Sequence, residues 1–72
     1  MTDEKKLSLL ADVMEIDAAD LKPETRLSDL EAWDSIAILS FIAMMDDEFN
    51  KVVKGAVVRS QQTISDLMNL ME

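Results

Sequence analysis

A chain of 72 residues has room for one domain around one small core, because a chain this short buries only about 60% of its unfolded surface. It contains no cysteine and no histidine. Disulfide staples, thiolate nucleophiles, Cys- or His-based zinc sites and histidine general bases are removed together, and with them most small-enzyme mechanisms. Fifteen acidic against seven basic residues give a net charge of −8, which repels nucleic acid and anionic lipid and favours cationic protein partners.

The opening Met1-Thr2-Asp3-Glu4-Lys5-Lys6 is charged and leads into an amphipathic segment, without the apolar stretch and small-residue cleavage site of an export signal, so a cytoplasmic protein is expected. From Asp3 to about Glu15 the residues Leu7, Leu10 and Met14 recur at helical spacing, with Leu9, Val13 and Ile16 widening the stripe. This predicts a first helix with one buried face, capped by Thr2 or Asp3, with Asp3 and Glu4 at its positive end.

Pro23 pushes Lys22 out of helical geometry, and a long loop follows the first helix. Between Asp17 and Trp33 only Leu21, Leu27, Leu30 and Trp33 are strongly apolar, spaced to pin a loop to a core without making a continuous helix. Loops of this length in small domains are functional or disordered, and the anchors argue for function. Ser28-Asp29-Leu30-Glu31 is read as a short helical turn.

The second helix is predicted over Ser35 to about Phe49. Leu39, Ile42, Met45 and Phe49 are read as its inward stripe, yet Ile36, Ile38, Phe41 and Met44 lie off that stripe, so apolar residues encircle the helix. Ile36, together with Met44 or Met45, is expected to be partly exposed as a contact face, with burial as the competing reading for each. The apolar run Ile36–Met45 is about half the roughly 20 residues that a membrane-spanning helix needs.

Asn50 to Gly55 is read as a turn that returns Val52 and Val53 to the core, with Gly55 taking a positive φ. A helical turn at Ala56–Arg59 follows. Thr63-Ile64-Ser65-Asp66 resembles a capping box with Asp in place of Glu, and it opens a last helix whose buried face is Ile64, Leu67, Met68 and Met71. No strand-length stretch alternates with period two apart from the ambiguous Val52-Val53 and Val57-Val58 pairs, so the fold is all-α. There is no solenoid-like repeat and no low-complexity segment. Six methionines suit a core that adapts to an apolar guest, and equally a small core with irregular gaps.

The chemistry centres on Trp33-Asp34-Ser35, where a loop meets the most apolar helix. A serine there stands beside the first unpaired backbone N–H groups of the helix, a favourable place for a phosphate. Ser35 is not a nucleophile of the protein's own, since no histidine base exists and no glycine-rich elbow surrounds it. Its hydroxyl is either a helix cap, a task Asp34 can perform as well, or a substrate that another enzyme modifies. Asp46, Asp47 and Glu48 point about 100° apart in turn on a helix and cannot converge on one ion, so no metal site is read there. They oppose the helix dipole slightly and suit a basic partner. Ten of the fifteen acids lie at or before Asp34, while Phe49–Ser65 carries Lys51, Lys54 and Arg59 and no acid, a patch read as solvated surface ahead of a binding role.

With these residues in place the chain, over nearly its whole length, resembles a small discrete acyl carrier protein. In that family a first helix and a long loop precede an Asp-Ser-Leu motif at the start of a second helix, followed by a short third and a final fourth helix. Here the motif is Asp34-Ser35-Ile36, accompanied by Glu48-Phe49 and by the Thr63-Ile64-Ser65-Asp66-Leu67 entry to the last helix. The resemblance implies a single four-helix bundle over residues 1–72. It implies that Ser35 receives phosphopantetheine from coenzyme A through a phosphopantetheinyl transferase, and that the arm's thiol then carries an acyl group as a thioester. Asp34 and Ile36 would assist transferase recognition, and Asp46, Asp47 and Glu48 would meet basic surfaces of acyl-activating ligases or synthases. The implied protein is a monomeric, non-catalytic carrier in fatty acid, polyketide or related lipid synthesis. A peptidyl or aminoacyl carrier, including the D-alanyl type, is the alternative, and a helical interaction module without a prosthetic group is a third. Trp33, Ile36, Ala37 and Ser40 differ from the pattern of fatty-acid-synthesis members, as do the basic Lys51, Lys54 and Arg59. A specialised carrier, read by its partner through apolar contacts more than charge, is expected.

Overall fold

The computed structural model describes residues 2–71, and among them all regular structure is helical. Four α-helices follow in order: α1 Asp3–Met14, α2 Ser35–Phe49, α3 Gly55–Arg59 and α4 Ile64–Leu70. The long loop between α1 and α2 contains two 3-10 turns, Ala18–Asp20 and Leu27–Asp29. The second of these lies one residue ahead of the turn predicted at Ser28–Glu31, and the first is unannounced by any periodicity.

Each helix end has an identifiable cause. Thr2 caps α1, its Oγ1 accepting the Lys5 N–H at 3.2 Å, and Glu15 closes it in the left-handed region at φ 58°. Asn50 does the same for α2 at φ 53°, its N–H returning to the Asp46 carbonyl while Lys51 N–H reaches Met45. Because Asn50 already reverses the chain, Gly55 has no turn to make. It opens α3 without a positive φ, contrary to expectation. A Cβ there would meet Arg59 Nη1 at 3.8 Å and Ile42 Cδ1 at 4.0 Å, ordinary contacts.

At about 1.5 Å per residue α2 is some 22 Å long, close to the 26 Å greatest extent of the molecule, and it packs on both α1 and α3. Its buried residues are Ala37, Ile38, Phe41 and Met45, a different stripe from the predicted one. Leu39, assigned inward, is 64% exposed, and Met45 is fully buried. A helix that is apolar all round carries no phase of its own, so its neighbours set it: the small Ala37 marks the face where they approach closely, and that face continues through Phe41 and Met45. The rest of the core comes from Leu10, Ala11 and Met14 of α1, the loop anchors Leu21 and Leu27, Val58 of α3, and Ile64, Leu67, Met68 and Met71 at the C-terminal end. Leu30 and Trp33 pack against it half-buried. Val53 returns to the core as expected, but Val52 faces solvent. Lys6, in the charged N-terminal stretch, is nevertheless buried.

The long loop is tied to the start of α4 by main-chain hydrogen bonds that no local pattern announces. Leu27 N–H donates to the Gln62 carbonyl at 2.9 Å, Ile64 N–H to Thr25 at 3.0 Å and Ser65 N–H to Pro23 at 2.8 Å. Thr63 and Asp66 form the predicted capping box: Thr63 Oγ1 accepts the Asp66 N–H at 3.2 Å, and Asp66 Oδ2 accepts the Thr63 N–H at 3.1 Å and the Gln62 N–H at 3.0 Å.

These donors hold the Asp66 carboxyl below its ordinary value of 3.8, the Gln62 N–H contributing most, then that of Thr63, with partial burial opposing and the Thr63 hydroxyl adding to the lowering. A depressed folded-state value means that the ionised carboxylate stabilises the fold above the unfolded value and that this contribution is lost as pH falls through the folded one. Chemical denaturation of wild type and Asp66→Asn should therefore give a stability difference that is constant near neutrality and shrinks as the pH is lowered from about 4. A difference independent of pH down to the acid limit would contradict the assignment.

Candidate functional site

The first turn of α2 is held from both sides. Trp33 N–H donates to the Leu30 carbonyl at 3.1 Å, and the Trp33 ring meets Phe41 edge-on, with centroids 6.0 Å apart and planes at 78°. Asp34, extended at φ −118° and ψ −172°, is the cap: its Oδ1 accepts the Ala37 N–H at 2.9 Å and its carbonyl accepts the Ile38 N–H at 3.0 Å. Such a cap contributes about 1 kcal/mol to a helix.

Because Asp34 does the capping, Ser35 does not. Ser35 is the first helical residue and exposed, and its hydroxyl has no hydrogen-bond partner among the described residues. The Ser35 and Ile36 N–H groups are likewise left without protein acceptors. The contrast with α4 is informative, since its first three amides are taken by Thr25, Pro23 and Thr63. Among the described residues only α2 thus combines a free hydroxyl with free amides at a helix start, whose partial charge favours an anion.

The other predicted contact residues lie along the solvent side of the same helix. Ile36 is 74% exposed, as expected, and Leu39, Ala43, Asp46 and Asp47 continue its face. Glu48 is exposed beside them. The strip is apolar near Ser35 and acidic at its far end. Leu39 is the member that sequence reasoning placed on the wrong side. Lys51, Lys54 and Arg59 are all exposed, in the company of the solvent-facing Val52 and Val57.

A groove of about 280 Å³ opens beside Ser35, between the last turn of α1 and the first turns of α2, lined among others by Val13, Met14, Ala32, Ile36, Ala37 and Ser40. Nothing in the sequence pointed to it, because its two walls are far apart in the chain. A larger cavity of about 410 Å³, lined by Arg26, Ser28, Gln61, Gln62 and Thr63, lies where the loop meets α4 and contains neither Ser35 nor its neighbours. Among the described residues no helix is long and apolar enough to cross a membrane.

The chain thus combines a four-helix fold with a long first loop and an unengaged hydroxyl at the mouth of the central helix. The family model for the phosphopantetheine attachment site matches residues 7–71, from the first helix to the last described residue. The chain belongs to this family, the acyl carrier proteins and their relatives, and is a phosphopantetheine carrier domain. Carrier domains of this kind serve phosphopantetheinyl transferases and synthase enzymes. No curated protein and no solved structure is matched.

Proposed function

We propose that residues 1–72 form one carrier domain in which Ser35 Oγ bears the phosphopantetheine arm, and that the protein holds acyl intermediates on the arm's thiol as thioesters for partner enzymes of lipid or polyketide synthesis. The observation that carries this reading is the Ser35 hydroxyl, exposed and unengaged beside two free amides. On loading, Ser35 Oγ forms a bond to the pantetheine-bearing phosphorus of coenzyme A, the pyrophosphate P–O bond breaks, adenosine 3′,5′-bisphosphate leaves, and the serine proton passes to a base of the transferase. Once bound, the arm supplies the thiol that the chain itself lacks.

The chain's own part is placement. Asp34 fixes the helix start, the Ser35 and Ile36 amides face the phosphodiester charge, and no residue of the chain acts as a catalyst. Ile36 and Leu39 offer an apolar contact next to the reacting oxygen, and Asp46, Asp47 and Glu48 offer charge to a basic surface one helix length away. The carrier meets coenzyme A and its partners in the cytoplasm, as a monomer.

Incubation of the purified domain with coenzyme A and a promiscuous transferase, followed by intact-mass measurement, tests the reading. One phosphopantetheinyl unit is expected, and no gain would overturn it. Ile36→Asp removes an exposed apolar contact without touching the core. It should leave the melting curve unchanged and slow loading by about fivefold or more, as for loss of an interface residue contributing more than about 1 kcal/mol. Unchanged loading kinetics would remove Ile36 from the recognition surface.

A further inference from the structure

We infer that the groove between the end of α1 and the start of α2 is the resting bed of the prosthetic arm, an inference that stands on the assignment of Ser35 as its attachment point. The groove begins where the arm would. Asp34 and Ile36, the two neighbours of Ser35, both line it, so its mouth lies within reach of a tether leaving Ser35. Covalent attachment keeps the arm at an effective concentration on the order of millimolar or above, so weak contacts suffice to hold it.

The lining also matches the arm chemically. Beyond its phosphate the arm is an uncharged chain with a gem-dimethyl carbon, a hydroxyl and two amides. Val13, Ala32 and Ile36 give the groove apolar surface for the dimethyl group, over the buried Met14 and Ala37. Asp12, Glu15 and Asp34 stand along it as carboxylates, which only accept hydrogen bonds and so pair with the arm's O–H and N–H donors. Ser40, half-buried and without a hydrogen-bond partner among the described residues, adds a hydroxyl for one of the arm's amide carbonyls. The same three carboxylates repel a phosphate, which therefore stays on the free amides of Ser35 and Ile36 while the neutral remainder lies in the groove. The larger cavity is lined by polar residue types and holds no neighbour of Ser35.

Isotope-filtered NMR on ¹³C-labelled protein loaded with an unlabelled arm tests this directly. Nuclear Overhauser contacts are expected from the gem-dimethyl protons to the methyl groups of Val13, Met14 and Ala32. Ser40→Leu fills the groove, and these contacts should be lost while intact mass shows that loading persists and circular dichroism shows the helices intact. A loaded protein whose arm shows no such contacts, or contacts only Ile42 and Val57 on the α3 side, overturns the bed but not the attachment. Contacts that survive Ser40→Leu unchanged overturn it as well. Absence of loading in the wild type overturns the assignment of Ser35, and the bed with it.

Discussion

Ser35→Ala is expected to abolish the phosphopantetheinyl mass gain while leaving the stability of the domain within about 0.5 kcal/mol of wild type. Both halves follow from the same geometry. The hydroxyl is engaged by nothing among the described residues, and alanine is the best helix former, so its removal costs the fold little. The cap belongs to Asp34, whose Oδ1 holds the Ala37 N–H at 2.9 Å. Intact mass and thermal melting on the same sample check the pair of outcomes. A mass gain that survives Ser35→Ala would move the attachment to another hydroxyl. A fall in stability of 1 kcal/mol or more, the size of a lost cap, would return Ser35 to a structural role.

The largest expected effect on folding is that of Phe41→Ala. Phe41 is fully buried at the middle of the central helix, with the Trp33 ring edge against it. Truncation removes its transfer free energy, leaves a cavity and deletes an aromatic contact, together about 3–5 kcal/mol. Against a total stability on the order of 4–11 kcal/mol for a domain of this size, that is at least a quarter of the whole. Urea titration should show the loss as a lowered midpoint. Leu39→Ala, two positions away on the exposed side, should cost under about 0.5 kcal/mol. Similar costs at the two positions would mean that α2 is rotated from the orientation described.

Much of this was legible because local rules settled it. The Asp-Ser junction and the Thr63–Asp66 box set where helices start, and the spacing of Leu10 and Met14, or of Ile64, Leu67 and Met68, set which faces turn inward. The position of Ser35 at the start of α2 was legible for the same reason, being a property of one helix boundary. The phase of α2 was not, because a helix with Ile36, Ile38, Leu39 and Phe41 in six residues presents an apolar side whichever way it is turned, and only contact with α1 and α3 chooses. Gly55 misled because the chain reversal fell to Asn50, five residues earlier. The groove and the loop-to-α4 bonds join segments distant in sequence, and periodicity does not see such pairs.

Those bonds bear on how the protein wears out. An extended surface segment is ordinarily where a protease first nicks a small domain. Here the backbone from Pro23 to Leu27 is occupied by Gln62, Ile64 and Ser65. Threading it into a protease cleft means first peeling away a helix whose Ile64 and Leu67 sit fully enclosed at the centre. Cleavage between Pro23 and Leu27 is thereby coupled to release of α4 rather than to local fraying, and this stretch is guarded by a segment distant in the chain.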